Sequence, residues 1–93
     1  MSTLITMTPQ TWIQITNVSK DGAVRHQSGN GKIVYTESVA QPVGYDGDTA
    51  VSGTTDLGDE FVYFNMPATK FLWGYAVDVE CKVTATESGD GGL

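Results

Sequence analysis

Apolar and polar residues alternate along the segment from Phe71 to Ala85, close to the end of the chain. Every odd position there is apolar, and the even positions from Asp78 to Thr84 are polar or charged. Side chains of a strand point alternately to its two faces, so this period predicts a β-strand with one face in a core and the other in water. The apolar positions are Phe71, Trp73, Tyr75, Val77, Val79, Cys81, Val83 and Ala85.

The length of this segment requires an interruption. Its fifteen residues would span on the order of 50 Å when fully extended, against roughly 30 Å for a compact domain of this size. We expect the break at Gly74, because a glycine inside a strand marks a bulge or a close approach of backbone. Leu72 and Ala76 then form apolar contacts on the otherwise polar face, covered by another subunit or by a loop of the same chain.

Two turn signals divide the first half of the chain. Lys20-Asp21-Gly22 and Gly29-Asn30-Gly31 contain residues that tolerate the positive φ of a tight turn. The segments that they separate, 11–18, 23–28 and 32–38, are rich in strand-forming residues. We therefore predict a three-stranded antiparallel meander.

The second half combines a long loop with another apolar run. Residues 39–58 are rich in turn-forming residues, which predicts a surface loop with one short strand at 49–52. Residues 59–66 are apolar at both parities, as in a strand that is covered on both faces. With no convincing helical period, the fold is predicted to be all-β, a small antiparallel β-sandwich or barrel of about seven short strands.

The ninety-three residues suffice for a single domain with its own core. We assign 1–8 to an N-terminal arm, 9–87 to the single β domain and 88–93 to a flexible glycine-rich tail. Ile5 and Met7 make the arm amphipathic, and they are candidate partner contacts. The arm either adds as a strand to the sheet edge of a neighbouring subunit or pairs within its own sheet.

The charge balance argues against two classes of partner. Eleven acidic residues against five scattered basic ones give a net charge of -6, so neither nucleic acid nor an anionic membrane surface is an expected partner. The first residues contain no basic region or long apolar run, so we expect neither a secretory signal nor a membrane-spanning helix. The single Cys81 is predicted to be buried and inert, in keeping with a reducing cytosol.

Catalytic and metal-binding patterns are weak. His26, the single histidine, lies in a predicted strand, and we interpret it as a packed surface or half-buried side chain rather than a general base. We expect no catalytic residue, no cofactor and no metal. The loop acids, whose oxygens could bind calcium, match no EF-hand spacing, and we interpret them as solvated; they are Asp46, Asp48, Asp56, Asp59 and Glu60.

One aromatic residue falls in the predicted loop rather than in a strand. Tyr45 lies between Gly44 and Asp46, where an exposed ring would be available to a sugar or a protein. With Asp46 and Asp48 it forms a candidate ligand loop. The alternative is a ring that folds back on the domain.

The order of features along the chain carries a resemblance. A threonine-rich start precedes the segment 11–15, and the segment 31–38 is followed by Pro42 and later by a tryptophan-bearing closing strand. This order resembles the small all-β virion proteins of tailed bacteriophages, which include head decoration (cement) proteins and tail or fibre accessory proteins. The resemblance covers most of the chain from Thr3 to Ala85, and it transfers no catalytic role to any position.

The resemblance implies a non-enzymatic virion structural protein that binds and stabilises the particle surface. Such a protein associates with itself, often as a trimer, and contacts the major capsid or a tail protein. Its location is the virion, which is assembled in the host cytoplasm. The alternative function is a tail or fibre module that recognises host glycan, or another virion protein, through the loop at Tyr45. A small hydrolase, a third class, would require two converging loop carboxylates.

Overall fold

Strands make up all the regular structure of the described residues. The computed structural model describes residues 2–15, 20–45, 51–63 and 69–90. Eight strands and no helix occur within these ranges, so the all-β prediction is confirmed. The strands are β1 (Ser2–Met7), β2 (Trp12–Gln14), β3 (Lys20–Ser28), β4 (Ile33–Ser38), β5 (Gly53–Thr55), β6 (Glu60–Tyr63), β7 (Phe71–Ala76) and β8 (Cys81–Asp90).

The strands form two four-stranded antiparallel sheets that pack as a small β-sandwich. Sheet I has the order β1-β8-β3-β6, and sheet II has the order β2-β7-β4-β5. The molecule measures 34 × 25 × 16 Å along its principal axes. A sandwich, one of the two predicted architectures, is therefore the observed one.

The predicted three-stranded meander is wrong. β2 pairs with β7 and β4 pairs with β5 and β7 in sheet II, whereas β3 pairs with β6 and β8 in sheet I. The Lys20-Asp21-Gly22 signal lies inside β3, and the link at 29–31 carries the chain from sheet I to sheet II. A turn signal marks a change of direction but does not specify the partner strand, which the packing of the two sheets decides.

Gly29 shows why the link between β3 and β4 needs a glycine. Its φ is +93°, in the left-handed region that favours glycine. A Cβ atom at this position would lie 2.5 Å from the carbonyl oxygen of Glu80 and 2.9 Å from the Cα of Cys81. The predicted turn is therefore present, and it passes directly against the start of β8.

The break in the closing segment lies at residues 77–80 rather than at Gly74. The chain leaves sheet II at the end of β7 and enters sheet I with β8. Gly74 lies inside β7, where a Cβ would lie 2.7 Å from the Met7 side chain and 2.9 Å from that of Ile15. The glycine thus permits close packing between the sheets, and the strand continues through it.

Apolar side chains from both sheets fill the space between them. Sheet I contributes residues of β1, β3 and β8, and sheet II contributes residues of β4 and β7, with Ile15 following β2. Burial of these side chains is the main favourable term in folding. The buried core consists of Met7, Ile15, Val24, Ile33, Tyr35, Leu72, Ala76, Cys81, Val83 and Ala85.

The strands of the long loop and of the second apolar run differ from their predictions. β5 begins at Gly53, after the predicted strand at 49–52, of which residues 49 and 50 lie outside the described ranges. β6 is an edge strand of sheet I, and its Val62 is 55% exposed. The prediction that this run is covered on both faces is therefore wrong at Val62, since the apolar run occupies an edge.

Both ends of the described chain belong to sheet I. β1 pairs with β8 along its whole length, from Ser2 opposite Thr86 to Met7 opposite Cys81. Of the two alternatives for the arm, pairing within its own sheet is the one observed. β8 continues to Asp90, which pairs with Lys20, so residues 88–90 of the predicted loose tail are strand, and 91–93 lie outside the described ranges.

Candidate functional site

The outer face of sheet I is open to solvent. Strand pairing places Leu4, Thr84, Arg25 and Glu60 in one row across the four strands. Arg25 Nη2 lies 3.7 Å from Glu60 Oε2, with side chains 54% and 45% exposed. Such an exposed ion pair contributes little to stability. This face therefore presents hydroxyl and charged groups together with two exposed apolar side chains, Leu4 and Val62.

The outer face of sheet II is aromatic and buried. Trp12 pairs with Tyr75, which pairs with Val34, so the three side chains lie side by side on one face. Neighbours of Val34 along β4, Ile33 and Tyr35, point into the core, so this row faces outward. The ring centroids of Trp12 and Tyr75 are 5.0 Å apart. We call the buried cluster Trp12, Val34, Trp73 and Tyr75 the aromatic layer.

The segment 39–45 covers the aromatic layer. The indole Nε1 of Trp12 donates to the carbonyl oxygen of Gly44 at 2.9 Å. Gln41 Nε2 donates in return to the Trp12 carbonyl at 2.8 Å. The second indole, of Trp73, donates to the Ser38 carbonyl at 3.1 Å. Both tryptophans thus have partners for their N–H groups although they are buried.

Tyr45 folds back on the domain. Its ring centroid lies 5.5 Å from that of Tyr75, and the side chain is half-buried against the aromatic layer. Of the two alternatives for Tyr45, the ring that folds back on the domain is the one observed, because Tyr75 points outward and offers the ring a packing surface. Asp46 and Asp48, the other members of the candidate ligand loop, lie outside the described residues.

Two candidate partner contacts are placed wrongly by the sequence pattern. Leu72 and Ala76 are fully buried in the core, whereas they were expected on the outer face of the closing segment. β7 and β8 belong to facing sheets, so the parity that points into the core changes when the chain crosses between them. Both residues are inaccessible to a partner in this fold.

The other two candidate contacts point inward from β1. Met7 is fully buried, and Ile5 is partly buried and packs against the core. Leu4 points outward from the same strand and is 62% exposed. Sequence reasoning missed Leu4 because it counted this residue with the polar side of the arm. The absence of any charged residue in β1 is the signal that marks this strand.

β1 is an edge strand, and no described strand lies beyond it. Its six residues include no charge and no proline, and its pairing with β8 contains no bulge. Charges, prolines and bulges are devices that prevent an edge from pairing with another chain. The remaining edges are protected. β2 and β5 have three residues each, and β6 begins with Glu60.

A buried hydrogen bond links β4 to the edge strand β5. The Tyr35 hydroxyl lies 2.9 Å from Thr55 Oγ1, and both side chains are buried. Burial raises the pKa of Tyr35 to about 12, and the bond to Thr55 offsets part of that rise. This pair therefore stabilises the core as a neutral contact.

His26 is buried more deeply than predicted. Its side chain is 1% exposed, and Nε2 lies 3.0 Å from the carbonyl oxygen of Ser28. The other ring nitrogen, Nδ1, has no hydrogen-bond partner. The ring lies in the core, opposite Val83. His26 is thus a packed side chain, and solvent does not reach it.

Cys81 is buried as predicted, and its thiol donates to the Val79 carbonyl at 3.4 Å. Burial raises the pKa of this thiol above its ordinary value, while a backbone hydrogen bond from Gly31 lowers it in part. A thiol held in its neutral form is a poor nucleophile. The prediction of a buried thiol is confirmed.

Two of the loop acids, Asp56 and Asp59, form the turn between β5 and β6. Asp59 Oδ2 accepts a hydrogen bond from the Asp56 backbone N–H at 3.1 Å, and the Asp59 N–H donates to the Asp56 carbonyl at 2.9 Å. Among the described residues, no group of three or more His, Cys, Asp or Glu side chains is placed to hold a metal ion. The described part of the chain also contains no helix that is long and apolar enough to cross a membrane.

The chain was compared with protein-family models, with curated proteins and with solved structures. No match was found in any of the three comparisons.

Proposed function

We propose that this chain is a non-enzymatic structural protein of a tailed-phage virion, which associates with itself and stabilises the particle surface. The observation that carries the assembly role is the uncharged edge of β1, beyond which no strand of the described residues lies. An exposed strand edge offers a row of backbone N–H and C=O groups to another chain. The resemblance to small all-β virion proteins supports the particle as the place of assembly.

The shape of the molecule suits such a role. The sandwich is thin, 16 Å in its shortest dimension, so it adds a shallow layer to a surface. The open outer face of sheet I presents hydroxyl and charged groups for polar contacts with a capsid or tail subunit. The aromatic layer lies on the opposite side, under the segment 39–45, and stiffens sheet II.

Fractionation of particles tests the proposal. Phage particles released from a host that carries this gene are separated by density gradient, and the chain is detected with a specific antibody. We expect the chain to sediment with the particles at a constant ratio to the major capsid protein, while a host cytosolic enzyme stays at the top. Recovery of the chain only with the cytosolic enzyme would overturn the proposal.

The effect on stability is a second arm of this experiment. Particles from a host with the gene deleted are expected to release their DNA at a lower temperature than wild-type particles, and added purified chain should restore the original temperature. Particles that are equally heat-resistant with and without the chain would contradict a stabilising role.

The host-glycan alternative has less support. It depends on Tyr45 as an exposed ring, and Tyr45 instead packs on Tyr75. The described part of the loop therefore favours a structural role, in which the ring covers the aromatic layer.

A further inference from the structure

We propose that β1 pairs with β1 of a second copy of this chain, antiparallel across a two-fold axis. The two copies of sheet I, with four strands each, would then form one continuous sheet with β1 and its symmetry mate at the centre. This inference names the contact through which the self-association in the proposed function takes place. It rests on the proposed function only for that self-association.

The comparison of edges singles out β1. Proteins protect free edges with charges, prolines, bulges or short strands, and the other edge strands of both sheets show one of these features. β1 has six paired residues and shows none of these protective features. An unprotected edge of this length is a template on which a strand of another chain can pair.

The charge distribution favours a second copy as that strand. The chain has a net charge of -6, so two copies repel each other at most contacts. β1 contains no charged residue, and its outward neighbours on β8 are Thr84, Thr86 and Lys82, none of which is acidic. Contact along this edge keeps the acidic groups of the two copies apart, and antiparallel self-pairing is geometrically closed, so it ends at a dimer.

The exposed leucine fixes the register. A two-fold axis perpendicular to the sheet places residues of the same parity opposite each other, so outer faces continue across the junction. With the axis at Leu4, the two leucines lie face to face, and Ser2 lies opposite Thr6 of the second copy. Leu4 is 62% exposed in the single chain, and this register removes much of that apolar surface from water.

Charge substitution at Leu4 tests the contact. We expect light scattering after size-exclusion chromatography to give the mass of two chains for the wild type and of one chain for Leu4→Lys, because like charges directly opposite destabilise a strand pair. Leu57→Lys, at a leucine that is 49% exposed in a turn away from β1, is the matched control and should stay dimeric. Circular dichroism checks that each variant is folded.

A mixture of two oppositely charged variants gives a positive result that misfolded variants could not produce. Leu4→Lys and Leu4→Glu should each have the mass of one chain and should form a dimer when combined. A wild type with the mass of one chain at concentrations of about 100 μM, or a Leu4→Lys variant that keeps the wild-type mass, would overturn the inference. Neither result affects the sedimentation of the chain with particles, so the two proposals fail separately.

Cross-linking tests the register. Paired residues of antiparallel strands have Cα atoms about 4.5–5.5 Å apart, within the range that a disulfide spans. Leu4→Cys should therefore form a covalent dimer on mild oxidation, and Thr6→Cys, which lies opposite Ser2 of the second copy, should form several-fold less. Equal cross-linking of the two variants would exclude an axis at Leu4. Cys81 is buried and does not compete.

Discussion

The outer face of sheet I is exposed to solvent, whereas the outer face of sheet II is covered by another segment of the chain. Sheet I leaves hydroxyl groups and the Arg25–Glu60 pair in solvent, whereas sheet II carries two tryptophans that are 3% and 8% exposed. Both sheets have four strands and share one core. The difference arises from the segment 39–45, which lies over sheet II and accepts and donates hydrogen bonds there. A few residues without regular structure thus decide whether a sheet is buried on one face or on both.

Removal of an aromatic ring from sheet II should cause the largest loss of stability. Trp12→Ala deletes a buried side chain that contacts Tyr75 and holds Gly44, and we expect a loss of about 3–5 kcal/mol in the free energy of unfolding. The counterpart on sheet I is Thr84→Ala, for which we expect a change within about 0.5 kcal/mol. Urea denaturation measures both. Equal losses in the two variants would mean that the aromatic layer is not buried.

Alkaline pH should weaken sheet II through its inner face. The pKa of Tyr35 is raised from 10.0 to about 12 in the folded chain, so this group stabilises the fold below pH 10 and loses that contribution as the pH rises to 12. The shift corresponds to roughly 2–3 kcal/mol.

Thermal unfolding between pH 9 and pH 12 measures this contribution. Tyr35→Phe should lack this part of the alkaline decline, whereas Tyr45→Phe should retain it because Tyr35 is still present. A Tyr35→Phe variant with the wild-type pH profile would show that Tyr35 is in contact with water.

Loss of a hydrogen bond that holds the segment 39–45 on sheet II should reduce stability less. Gln41→Ala removes the bond to the Trp12 carbonyl, with an expected loss of about 1 kcal/mol and faster quenching of tryptophan fluorescence by acrylamide. Gln27→Ala changes the same residue type at an exposed position of β3 and should leave the quenching unchanged. If acrylamide quenches the tryptophan fluorescence of both variants equally, the segment 39–45 does not shield the aromatic layer.

The ion pair on sheet I should contribute least to the free energy of unfolding. Arg25→Ala or Glu60→Gln is expected to change the free energy of unfolding by less than about 0.5 kcal/mol, because both side chains are about half exposed. Measurements at 0.05 M and 1 M sodium chloride should give the same difference between variant and wild type. A loss of more than about 1 kcal/mol would show that this face is less open than its exposure indicates.

The sequence predicted the strand content well and the strand partners poorly. Alternation in β8 placed Cys81, Val83 and Ala85 correctly in the core. The same alternation in β7 failed, because Trp73 and Tyr75 face the covering segment while Leu72 and Ala76 face the core. A two-residue period identifies a strand, but apolar residues on both sides leave its inward face undetermined.

The candidate contacts were harder to predict for a related reason. Whether Leu4 or Ile5 faces outward depends on the pairing of β1 with β8, which are far apart along the chain. The cover by Gln41 and Gly44 depends on contacts with Trp12, about thirty residues earlier. Local patterns do not contain this long-range information. The lack of charge in β1 was visible in the sequence and would have marked the edge.

The pairing of the first strand with the last also constrains how the chain is made. β8 lies inside sheet I, between β1 and β3, so a nascent chain that lacks β8 has no partner strand for β1 and only the β3–β6 pair of sheet I. Pairing of such distant segments carries the full cost of loop closure before any contact is gained, which slows folding. The ribosome must therefore release β8, up to Asp90, before the sandwich can close.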